Sequence, residues 1–181
     1  MPPDKLNGDV YERFVRPCET RLIAAAWRIM RCHADADDVL QDAIVKIWKA
    51  RESLAQHTCR EAWMLRVVIN TAFEHLRQRK PSPSTNLNGP DIASAPASIR
   101  GVDADLSHDE TRNRILQALT SLSPQQAEAV LLRVVEDLPY DEVASALNCT
   151  VSTARVHVKR GRAKLRDHLK DLDPNHEGAV K

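Results

Sequence analysis

The sequence predicts an all-α protein: two small helical domains joined by a flexible linker, the C-terminal one a four-helix domain with a helix-turn-helix. Three observations carry this. Only five of 181 residues are glycine and only 4% are aromatic, a composition that favours helices over a sheet with tight hairpin turns. Apolar residues recur at three-to-four-residue spacing in both halves of the chain. Between the halves, residues 81–105 read PSPSTNLNGPDIASAPASIRGVDAD, rich in Pro, Ser, Asn and Ala without sustained apolar periodicity, which is linker composition. The expected divisions are a first domain over 1–80, a linker over 81–106, a second domain over 107–172 and a disordered tail over 173–181.

In the first half, Leu22, Ile23, Ala26, Trp27 and Met30 mark one face of an amphipathic helix, and Val39, Leu40, Ala43, Ile44, Ile47 and Trp48 mark a second. The polar run 52–60 reads as a loop. A third helix over 62–79 carries Trp63, Val67, Phe73 and Leu76 on its apolar side. In the second half, Ser107-x-x-Glu110 has capping-box spacing, and Ser123-Pro124-x-Gln126 repeats it with proline at the first helical position, so helices should start at both. The first carries Ile115, Leu119 and Leu122; the second carries Ala127, Val130, Leu131 and Val134 and runs towards Pro139, which blocks continuation.

From Tyr140 a short helix presents Val143, Ala144 and Leu147, then Asn148-Cys149-Thr150-Val151 turns, and a helix capped by Thr150 or Ser152 continues to about Leu169. This is helix-turn-helix grammar. Ala144 lets the two helices approach, Val151 fills the corner, and Ala154, Val158 and Leu165 face the core. Ser152, Thr153, Arg155, His157, Lys159, Arg160 and Arg162 are left for DNA. Early positions of such a helix meet base edges, which suits Thr153, Arg155, Val156 and His157; the later Lys159, Arg160 and Arg162 suit phosphates.

A formal net charge of +1 is low for a DNA binder, whose affinity rests on neutralising phosphates. Segregation resolves this. Asp35, Asp37, Asp38 and Asp42 crowd one stretch, while Arg155, Lys159, Arg160, Arg162, Lys164, Arg166 and Lys170 crowd another whose single acid is Asp167. An acidic face of this kind suits a basic partner protein and repels DNA. The longest apolar runs are too short to span a bilayer, and Asp4 and Asp9 stand where a leader would be basic, so no membrane insertion and a cytoplasmic location are expected. Cys18, Cys32, Cys59 and Cys149 form no C-x-x-C pair and read as reduced thiols. No phosphate-binding glycine loop, H-E-x-x-H or nucleophile elbow occurs, so no enzyme, metal or cofactor is expected.

The string LTSLSPQQAEAVLLRVVEDLPYDEVASALNCTVSTARVHVKRGRAKLRDHL closely resembles the promoter-binding domain of the extracytoplasmic-function sigma factors of the sigma-70 family. Ala34-Asp35-Ala36-Asp37-Asp38-Val39-Leu40-Gln41-Asp42, followed by Ile44-Val45-Lys46-Ile47-Trp48, resembles the helix by which these factors grip the polymerase clamp. Trp63-Met64-Leu65-Arg66-Val67-Val68-Ile69-Asn70, continuing to Arg77-Gln78-Arg79-Lys80, is similar to the family's helix for the melted minus-ten element. The resemblance implies core RNA polymerase and promoter DNA as partners, with an anti-sigma factor as regulator. It implies polymerase contacts at Asp35, Asp37, Asp38, Gln41, Asp42 and Lys46, and minus-ten contacts at Arg66, Asn70, Arg77, Arg79 and Lys80. It makes Ser152, Thr153, Arg155, His157, Lys159, Arg160 and Arg162 the minus-thirty-five set. The 52–60 loop departs from the pattern: Leu54, Thr58 and Cys59 replace the aromatic anchors with which relatives capture a flipped-out base. A regulator of the LuxR type would account for the C-terminal half alone.

Overall fold

A computed structural model describes residues 11–78 and 102–172, the side chains of 55, 102–109 and 171 excepted. A π-type turn, Tyr11–Val15, runs through a 3₁₀ turn, Arg16–Cys18, into α1, Glu19–Met30. Helices α2, His33–Lys49, and α4, Arg60–Gln78, pack on α1 and on each other as a three-helix bundle, with the short α3, Arg51–Gln56, between them. The second half holds α5, Val102–Thr120; α6, Pro124–Val130, continued by a π-type turn, Leu131–Val135; α7, Tyr140–Leu147; and α8, Val151–His168.

Periodicity decides what each helix buries. Leu22, Ala25, Ala26, Ile29 and Met30 turn one stripe of α1 inward, and Ala36, Val39, Ala43 and Ile47 do so for α2. Helix α4 is buried more broadly, through Ala62, Met64, Leu65, Val68, Ile69, Ala72 and Phe73, because it packs against α1 and α2 and also against α6 and α7. Buried residues of both halves consequently form one continuous core.

Chain reversals follow from local chemistry. Helix α1 ends at Arg31, which is left-handed at φ 58°, and its last carbonyls are reached from the other half: the Arg112 guanidinium donates to Ile29 O at 2.8 Å and Met30 O at 3.2 Å. Helix α7 ends at Asn148, also left-handed at φ 52°, a conformation asparagine tolerates better than most residues.

Several sequence expectations need correction. The 52–60 run is helical over α3, where Leu54 is fully buried, and leaves only a short connection before α4. Helix α5 begins at Val102, not at Ser107, so 102–106 extend the helix rather than the linker. Helix α6 does start after Ser123 with proline at its first turn, but the Ser123 side chain makes no capping bond. Ile115, Val134 and Val151 remain substantially exposed, at 39%, 54% and 36%, so Val151 does not fill the helix-turn-helix corner. Arg79, Lys80, the central linker and the tail lie outside the described residues.

Helices α6 and α8 cross at Gly161, where a Cβ would stand 2.6 Å from Val130 Cγ2 and 3.2 Å from Gln126 O. Glycine costs an α-helix about 1 kcal/mol relative to alanine, and close approach is its compensation here. Gly161→Leu should overpack this crossing and lower stability by about 1–3 kcal/mol, read as a lower denaturation midpoint; an unchanged midpoint would mean that the helices do not meet here.

Candidate nucleic-acid interface

Helix α8 divides cleanly into two faces. Ala154, Val158 and Gly161, at i, i+4 and i+7, are buried against α6 and α7. Ser152, Thr153, Arg155, Val156, Lys159, Arg160 and Arg162 are exposed and His157 is half-buried. The helix start is set by Thr150: its extended backbone, at φ −76° and ψ 155°, lets Oγ1 accept from Thr153 N at 3.2 Å. Thr150 therefore caps the helix, and Ser152, the alternative cap in sequence, lies in its exposed first turn. The same Oγ1 is 2.8 Å from Thr153 Oγ1, which ties Thr153 to the helix start.

Tyr140, which sequence reasoning passed over except as a helix start, lies beneath the exposed face. The Arg155 guanidinium lies 5.4 Å from its ring centroid and Arg133 lies 5.3 Å from it. Arg133 is itself fixed by Asp137 at 2.7 Å and by Leu138 O at 3.2 Å. Cation–π contact gives Arg155 a preferred position over the first turn of α7. An aromatic at the first position of one helix and an arginine early in the next are visible in sequence, but their meeting depends on the angle of the turn.

On the first half, Asp37, Asp38, Gln41 and Asp42 share an exposed face of α2, joined by Val45, which is 48% exposed. Asp35 lies half-buried beside them. Two expected members of this surface make contacts within the bundle. Asp42 lies 2.8 Å from His75 Nε2, and Lys46 Nζ reaches Glu74 at 2.5 Å and Thr71 Oγ1 at 3.1 Å. On α4, Arg77 is exposed with its guanidinium 5.9 Å from the Phe73 ring, and Asn70 is half-buried. Arg66 points into the second half: Nε is 2.6 Å from Glu128 Oε2, and Nη1 donates to Ala146 O at 2.9 Å.

Beside Arg66 a polar cleft of about 550 Å³ opens between the α3–α4 connection and the α7–α8 turn, with Gln56, His57, Thr58 and Trp63 on one side and Asn148 and Cys149 on the other. The His57 and Trp63 rings stack at 5.3 Å, so an aromatic surface does stand at this end of α4, contributed by the helix as well as by the connection. Cys18 is a packed thiol: burial pushes its pKa up to about 11, and its sulfur bonds to the carbonyls of Phe14 and Val15, both at 3.3 Å. No helix among the described residues is long and apolar enough to cross a membrane.

Two family models match, sigma-70 region 2 over residues 14–81 and sigma-70 region 4 over residues 112–165. The RNA polymerase sigma-E factor of Streptomyces avermitilis is 30% identical over 169 residues, covering 92% of this chain and 90% of the relative. The RNA polymerase sigma-H factor of Pseudomonas aeruginosa is 26% identical over 175 residues, with 92% and 90% covered. Among solved structures, CnrH in complex with the cytosolic domain of CnrY has a similar fold, with a TM-score of 0.55 at 23% identity over 90% of this chain and 88% of that one. The sigma factor RpoE in complex with the anti-sigma factor NepR from Bartonella quintana gives a TM-score of 0.51 at 24% identity, covering 90% and 98%.

Because one hydroxyl starts α8, Thr150→Ala should cost about 1 kcal/mol of stability and Thr150→Ser very little. Thermal melts followed by circular dichroism test this, and equal melting of the two variants would remove the cap from the account.

Proposed function

The chain belongs to the extracytoplasmic-function sigma factors of the sigma-70 family and serves promoter recognition and transcription initiation; from that premise we propose which of its surfaces do the work. The single observation that carries the reading is the two-faced α8, with a fully buried stripe behind and an exposed, predominantly polar and basic face in front that also carries Val156. Such a helix fits the major groove of the minus-thirty-five element. Its capped N-terminal turn, with Ser152, Thr153, Arg155 and His157, meets base edges, and Lys159, Arg160 and Arg162 meet phosphates. Tyr140 holds Arg155 in place for this contact.

The acidic face of α2, through Asp35, Asp37, Asp38, Gln41 and Asp42, docks on a basic surface of core polymerase, with Val45 as an apolar contact at its C-terminal end. Lys46 supports that face from the side through Glu74 and Thr71. Helix α4 meets the minus-ten element through Arg66, Asn70 and Arg77, continued by Arg79 and Lys80. The domains follow as 1–80 and 107–172 with 81–106 between them, adjusted by the earlier start of α5. Strand opening is driven by capture of unstacked bases, a binding process that requires no catalytic residue. The chain works in the cytoplasm, where polymerase is, and an anti-sigma factor is its regulator, supported by the fold shared with factors solved in such complexes.

Run-off transcription with core polymerase on a promoter library tests the reading. Transcripts should depend on this chain, and Asp38→Arg combined with Gln41→Ala should abolish both core binding and transcripts while leaving the protein folded. Arg155→Ala should weaken upstream recognition roughly tenfold, the worth of about one good base or phosphate contact, with core binding unchanged. A chain that shifts duplex promoter DNA but never engages core polymerase would sink the reading.

A further inference from the structure

Helix α8 carries an exposed valine at the centre of its polar face. Val156 is 42% exposed, among Ser152, Thr153, Arg155, Lys159 and Arg160. A lone exposed valine is ordinary on a protein surface, so its place on the helix is what matters. At about 100° per residue, Val156 lies about 160° around the helix from both Ala154 and Val158, the residues that seat α8 on its neighbours. It therefore points away from the core, on the side that also holds Ser152 one turn earlier and Lys159 one turn later. Val151, also exposed, lies only about 60° from Ala154 and stays on the core side.

Neither core packing nor helix propensity accounts for a valine at this place: the side chain faces outward, and valine is a poorer helix former than alanine, lysine or arginine. Its β-branch does give it one strongly preferred rotamer in a helix, so its methyl groups stand in a fixed direction. The Thr150 cap fixes the start of the helix one and a half turns earlier. Of the four bases, thymine alone carries a methyl group in the major groove, at C5, while the others are read there through donors and acceptors. A valine side chain neither donates nor accepts. A donor or acceptor pressed against it loses water without replacement, a cost that a methyl group does not incur.

We propose that Val156 is a specificity-determining residue that meets the C5 methyl group of one thymine in the upstream duplex. This rests on the reading of α8 as the minus-thirty-five helix and adds what one position of that element must be. Arg155, held against Tyr140, stands beside the valine in sequence, so the methyl contact lies among polar contacts and not at their rim.

The test uses the full chain assembled with core polymerase. Promoter duplexes selected from a randomised library define the preferred upstream element, and each thymine in it is then replaced in turn by uracil, which lacks only the methyl group. Uracil at one position should weaken binding roughly fourfold, the worth of burying one methyl group, and uracil elsewhere should change little. Val156→Ser should bind the thymine and uracil duplexes equally at that position, at unchanged helical circular dichroism. At the same position 5-methylcytosine should be bound better than cytosine by the wild type and no better by Val156→Ser, which separates methyl recognition from contact with the rest of the thymine edge. Uracil tolerated at every position, a uracil penalty that persists in Val156→Ser, or 5-methylcytosine no better than cytosine would each overturn the inference while the reading of α8 stands. Selection indifferent to the whole upstream duplex would overturn that reading and the inference with it.

Discussion

Helix α4 is the element on which the rest of the molecule depends, because it buries side chains on more than one face. Ala62, Met64, Leu65, Val68, Ile69, Ala72 and Phe73 are all nearly inaccessible, and they serve two sets of neighbours: α1 and α2 from the first half, α6 and α7 from the second. A helix confined in this way has little freedom in where its remaining side chains point. Arg66 emerges between apolar neighbours directly into the second half, while Arg77, a little over three turns later, stays in solvent. The same helix that carries the proposed minus-ten set is thus also the floor on which the helix-turn-helix rests.

Much of this was legible in the sequence and some of it was not, for physical reasons. Helices with one apolar stripe, α1, α2 and α8, declare themselves through spacing, and the buried Ala154 and Val158 follow directly from it. The left-handed stop at Asn148 is signalled by the residue type. Helix α3 is not, because a six-residue helix needs only one buried residue, Leu54, and one residue has no period. The early start of α5 is hidden because its first turns carry linker-like polar residues. Gly161 did leave a signal: a lone glycine inside a long basic helix is costly unless another backbone comes close. The contacts of Arg66 and Arg28 left none. Their partners are 62 and 108 residues away, and no periodicity encodes which arginine will meet which glutamate.

Charge is the second organising principle. The formal net charge of +1 conceals three populations: an exposed acidic face on α2, an exposed basic face on α8, and a set of arginines and glutamates used between the halves. The first two face outward, where opposite charge on a partner raises specificity and encounter rate. The third faces inward and is invisible to either partner while the halves stay together. Tyr140 shows a similar economy at smaller scale, since one ring receives both Arg133, which is fixed, and Arg155, which is exposed.

The enclosed position of Glu136 between Arg21 and Arg28 has a consequence for how the chain responds to its surroundings. Ionic strength reaches this contact, because the two arginines are partly exposed, at 37% and 43% of side-chain area, and their attraction to the carboxylate is open to screening. The same salt weakens the attraction of an exposed basic face such as that of α8 for phosphates. One change in the medium thus acts on the contact between the halves and on the exposed basic face of α8 together.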